Sequence, residues 1–110
     1  MEWLSLPRSS RPGAVVFGND EAALGFMREV QQGGIKIPAD VSVAGFDDIR
    51  AAGLHWPGLT TSAQPAREMG AAACRAIIYE LQENPAVPEN IAPFPTRMVV
   101  RESTGPCKTA

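Results

Sequence analysis

Four side chains able to grip a small polar molecule fall in two short clusters, Asn19-Asp20 and Asp47-Asp48. An ionised carboxylate accepts from two hydroxyls at once through charge-assisted bonds, and a carboxamide both donates and accepts. Together these groups suit a ligand with adjacent hydroxyls. Each residue also has an ordinary use. Asn19 or Asp20 can cap a helix by accepting from the free amides of its first turn, and Asp48 can cap a turn. One of the first pair is expected to cap while the other faces a crevice. In the second pair, Asp47 is assigned to ligand and Asp48 to capping. The two carboxylates could form a general acid–base pair. No nucleophile, metal set or oxyanion hole accompanies them, so an enzyme is not the expectation, and neither cofactor nor metal is expected. Gln64 follows a strand end and could reach the same crevice. The single histidine, His55, reads as packing or surface. Gly33-Gly34 ends a helix, the wrong polarity for a phosphate cradle.

Those clusters need elements to hold them. Residues 14–17 and 41–46 are apolar runs with β-branched centres, the pattern of strands buried on both faces. Between them, Ala23, Phe26, Met27 and Val30 recur at helical spacing, and Gly33-Gly34 supplies a stop, with one glycine left-handed. Strand, helix, strand makes a βαβ unit with parallel strands and a right-handed crossover. Ligands bind just beyond the carboxyl ends of such strands, where Asn19 and Asp47 lie. A short helical turn is expected over 48–54 and a third strand over 59–62. A long helix starts at Pro65, with an apolar face through Met69, Ala73, Ile77 and Leu81. Asn84-Pro85 would end it, and a Pro-rich connection leads to a last strand over 97–101. Residues 1–13 read as the cut end of a helix (Trp3, Leu4, Leu6) followed by a loop, and 105–110 as a tail.

Bulk composition narrows the function. The chain has 110 residues and a formal charge of −2, with a pI near 5.3. One domain fits that length. Its ten Lys and Arg are scattered singly, so the basic stripe of a nucleic-acid binder is missing. Cys74 and Cys107 make neither a disulfide framework nor a metal site, which favours a reducing, cytoplasmic setting. No membrane span or export signal is legible.

With those residues in view, the chain resembles the lactose-repressor family of bacterial transcription regulators. The likeness rests on the segment Ala14-Val15-Val16-Phe17-Gly18-Asn19-Asp20-Glu21-Ala22-Ala23-Leu24-Gly25. It continues through Ile37-Pro38-Ala39-Asp40-Val41-Ser42-Val43-Ala44-Gly45-Phe46-Asp47-Asp48. Pro57-Gly58-Leu59-Thr60-Thr61, Gln64-Pro65, Met69-Gly70 and Val99-Val100-Arg101-Glu102-Ser103-Thr104 follow in order. It spans nearly everything from residue 14 to 104.

The resemblance implies an α/β fold: a parallel-sheet sandwich with helices on both faces, forming part of a periplasmic-binding-protein-like effector domain. Residues 14–63 would belong to the carboxyl-terminal subdomain and 64–104 to the amino-terminal one. Asn19 and Asp47 would contact a sugar or related metabolite, with Gln64 joining from the crossover. Leu24, Met27, Arg28, Leu54 and His55 would lie on the dimer surface. The first half of the effector domain and a DNA-binding headpiece are not recognisable, so the expectation is a fragment of a sugar-responsive repressor that does not bind DNA by itself. Exposed strand edges then lead to an expected homodimer or swapped oligomer. Two rivals stand beside this reading: an exported periplasmic-type sugar-binding protein, and an enzyme or phospho-receiver built on Asp47 and Asp48.

Overall fold

The structure is a computed structural model, and it describes residues 2–83 and 93–107. The expected helix end at Asn84-Pro85, the first part of the Pro-rich connection and the end of the tail lie outside the described residues.

Two units make up the chain. The first takes in Met1–Ala63 and Met98–Ala110, the second Gln64–Arg97. The first begins with α1 (Glu2–Ser5) and a 3-10 turn (Arg8–Ser10). It continues through β1 (Ala14–Val16), α2 (Asp20–Gln32), β2 (Ser42–Ala44), α3 (Arg50–Leu54) and β3 (Thr61–Ala63). α4 (Ala66–Leu81) lies in the second unit, and β4 (Arg97–Val99) begins at its end.

β1 and β2 are parallel, with Ala14 opposite Ser42 and Val16 opposite Ala44. Single parallel bridges link Ala44 to Thr60 and Asp47 to Ala63. β2 therefore runs between β1 and the segment containing β3, which itself pairs with β4. This is the parallel α/β arrangement expected from the sequence.

The reasons are local. Asn19, in extended backbone, caps α2 by accepting from the Ala22 amide at 2.8 Å. Ala23, Phe26, Met27 and Val30 then fall on one buried face of α2. Gly34, at φ 78°, takes the left-handed conformation that follows the helix end. Asp40 closes the next turn by accepting from the Lys36 amide at 2.8 Å. The α2 face meets Val41, Val43, Ala52 and Leu59 in one core, with Trp3, Leu4, Val15 and Phe17 packed around it. The Trp3 and Phe26 rings meet edge to face at 5.6 Å, an arrangement that suits the opposed charges of ring edge and ring face.

One boundary differs from the expectation. Residues 98–104 fall in the first unit, apart from α4. Ser103 explains this. It is fully buried. Its hydroxyl donates to the Val43 carbonyl at 2.6 Å and accepts from the Thr60 amide at 2.8 Å. Its backbone carbonyl accepts from Val43 N–H, and its own amide donates to the Gly58 carbonyl, both at 2.9 Å. A buried serine with every polar group paired ties 101–105 into the core of the first unit. The sequence pattern carries no trace of those partners.

Candidate binding site at the strand ends

The carboxyl end of β2 is where the backbone departs from regularity. Past Ala44 the strand keeps its sheet bonding: Phe17 N–H donates to the Ala44 carbonyl, Gly45 N–H to Thr60 and Asp47 N–H to Ser62, each at 2.9 Å. Asp47 then has φ 118° and Asp48 φ 57°. Consecutive positive-φ residues with side chains are uncommon, and φ 118° lies well away from the left-handed basin that Asp tolerates. Such strain persists where the surroundings over-determine the backbone, and it concentrates at ligand-binding positions.

The Asp20 amide donates to the Phe46 carbonyl at 2.9 Å. That bond makes Asn19 and Asp47 the chain neighbours of a directly bonded pair, so the two expected ligand residues sit on adjacent strand ends. Asn19 is exposed and Asp47 half-buried. Asn19 uses its side-chain oxygen for the cap, which leaves its amide hydrogens as the donor group at this rim.

Asp20 departs from the expectation. It does not face a crevice; it is fully buried. One carboxylate oxygen accepts from the Thr61 hydroxyl at 2.6 Å, the other from the Ile49 amide at 2.9 Å. Its place under β2 depends on Gly45, where a Cβ would collide with the Asp20 carboxylate. Asp48, assigned to capping, instead forms an ion pair with Arg101 at 2.7 Å. The second guanidinium nitrogen of Arg101 donates to the Leu59 carbonyl at 2.9 Å. Sequence reasoning overlooked Arg101. Arg101 stood in the expected last strand and in the closing family motif, but no pattern tied it to Asp48.

Gln64 is half-buried and opens the second unit; its carbonyl accepts from the Ala66 amide at 2.8 Å. Among the expected dimer residues, Arg28 is exposed and Leu54 is 74% exposed. Leu24 is half-buried against the core. His55 is half-buried, its Nδ1–H donating to the Pro57 carbonyl at 3.1 Å. Met27 is the correction: at 0% exposure it belongs to the core and offers nothing to a partner. The helical period puts it on the same side as Phe26 and Val30, which is the core side.

A cavity of about 450 Å³, lined in part by Trp3, Arg8, Arg11 and Asp40, opens before β1 and β2, at the end of the strands opposite Asn19 and Asp47. Among the described residues no group of His, Cys, Asp or Glu could hold a metal ion. No helix among them is long and apolar enough to cross a membrane.

The periplasmic binding protein-like domain family matches residues 1–104. The chain belongs to this family. Within it, the matched relatives are lactose-repressor-type regulators. The regulator of the NTD biosynthesis operon of Bacillus subtilis is 35% identical over 94 residues, covering 86% of this chain and 29% of the relative. The transcriptional regulator MalR of Streptomyces coelicolor is 43% identical over 91 residues, covering 83% of this chain and 26% of the relative. A LacI family transcriptional regulator from Enterococcus faecium, solved with bound ribose, superposes with a TM-score of 0.81 at 34% identity, over 91% of this chain and 37% of that one. The chain spans less than a third of the length of these curated relatives. It is therefore part of an effector-binding domain of the lactose-repressor type, as the sequence motifs implied.

Proposed function

We propose that this chain forms one wall of the effector cleft of a cytoplasmic, sugar-responsive transcriptional repressor. The adjacency of Asn19 and Asp47, created by the bond between Asp20 N–H and the Phe46 carbonyl, carries this reading. Asp47 accepts from ligand hydroxyls and Asn19 donates its amide hydrogens. The ribose bound to the Enterococcus faecium neighbour supports a hydroxylated ligand. The relatives are named as regulators, which favours a repressor over an exported sugar-binding protein. They also give an enzyme no support.

In the intact protein the mechanism is linkage. A sugar that binds one closure of the cleft better than another shifts the population, and operator affinity follows. DNA contact falls to a headpiece outside the matched domain. Leu24, Arg28, Leu54 and His55 contribute to a homodimer surface, and a swapped oligomer through the strand edges is the variant form. Light scattering at high protein concentration checks this; a mass equal to one chain removes the oligomer.

Titration calorimetry with ribose and glucose tests the site. Asp47→Ala is expected to lose about 2 kcal/mol of binding, about thirtyfold, because charged hydrogen bonds go unmade. Unchanged affinity takes Asp47 out of the site.

A further inference from the structure

We propose that Asp20 is a positioning residue for the site, holding the backbone of residues 46–49 in the shape that presents Asp47. The inference rests on the effector reading for its purpose, but its structural content stands by itself.

The geometry is a bracket. The two positive-φ residues, Asp47 and Asp48, are flanked by Phe46 and Ile49. Asp20 binds both flanks: its amide donates to the Phe46 carbonyl and its carboxylate accepts from the Ile49 amide, each at 2.9 Å. The residues inside the bracket are tied to the adjoining strand. Asp47 N–H donates to the Ser62 carbonyl at 2.9 Å, and Asp48 N–H reaches the Thr61 hydroxyl at 3.4 Å. That hydroxyl in turn donates to Asp20 at 2.6 Å. The amides of 47, 48 and 49 therefore end on Ser62, on Thr61 and on Asp20, with Thr61 bonded to Asp20 as well.

A fully buried carboxylate is a costly way to fill space, and burial is tolerated only with its bonds made. Here both oxygens are engaged, and the residue lies in the first turn of α2, where the helix favours negative charge. An apolar residue of similar size would fill the volume and leave the Ile49 amide without its acceptor. The acid is explained by what it holds.

The test uses the full chain and two readouts, one free of ligand. In wild type, the three-bond amide–Hα coupling of Asp47 is small, as φ 118° requires, and the Ile49 amide is protected from hydrogen exchange. Asp20→Ala is expected to average that coupling upward, speed Ile49 exchange at least tenfold, and weaken D-ribose binding by about tenfold. Asp20→Asn is expected to restore both backbone readouts, because its oxygen can accept from Ile49 while the Thr61 hydroxyl reverses to accept from the new amide. Should Asp20→Ala lose its cooperative melt, Thr61→Val carries the same measurements, with faster exchange at Asp48. Wild-type coupling and protection in a folded Asp20→Ala protein overturn the proposal, as does an Asn variant that restores neither, or unchanged Asp48 exchange in a folded Thr61→Val protein. If wild type does not bind ribose, the choice of sugar is in question, and the backbone readouts still decide the role of Asp20.

Discussion

The strand-end region of the first unit and the long helix of the second use their residues in opposite ways. Around Asp20, Thr61 and Ser103, polar side chains are fully buried and each has its partner. Along α4, a regular apolar face exists but no residue is buried: Ile77 is 61% exposed and Leu81 79%. The first region has polar residues inside, and the second has apolar residues outside. Hydrophobic pattern alone therefore does not say which region is buried; whether each group has found its partner does.

That contrast can be broken by substitution, read as urea unfolding of the chain. The largest change is expected from Leu59→Ala, which opens a hole in the first-unit core and should cost about 3 kcal/mol. Ser103→Ala comes next, at about 2 kcal/mol, since it leaves the Val43 carbonyl and Thr60 amide each short of a buried bond. Arg101→Met removes a half-buried ion pair with Asp48 and a bond to Leu59; about 1 kcal/mol is expected. Leu81→Ser on α4 should change stability by less than about 0.5 kcal/mol. A loss of about 2 kcal/mol or more at Leu81 would show that this face is covered in solution and would dissolve the contrast.

Much of the fold was legible in the sequence, for reasons that can be named. Asn19 announced the start of α2, and Gly34 its end, because caps and left-handed turns select residue types locally. The alternation of strand and helix announced the parallel pairing. The run ending in Asp47-Asp48 pointed to the strand rim. What escaped were outcomes that depend on residues far away in the chain. Asp20 looked like a crevice residue because its burial is set by Gly45 and Thr61, beyond the reach of any local window. Met27 was placed on a dimer surface by the resemblance, although its own helical spacing beside Val30 put it in the core. Asp48 was read as a cap because Arg101, 53 residues on, shows no pattern linking it to a turn. For α4 the period gave the apolar face correctly, but a period specifies a face and not what lies against it.

The place of Ser103 also bears on how the protein is made. Its hydroxyl serves Val43, 60 residues earlier, and Thr60, 43 residues earlier. During translation all three parallel segments are synthesised before the group that completes their bonding. Until then the Val43 carbonyl and Thr60 amide must be served by water, and closing so wide a loop costs entropy before any contact repays it. A nascent chain halted before residue 103 would lack the group that bonds the Val43 carbonyl and the Thr60 amide.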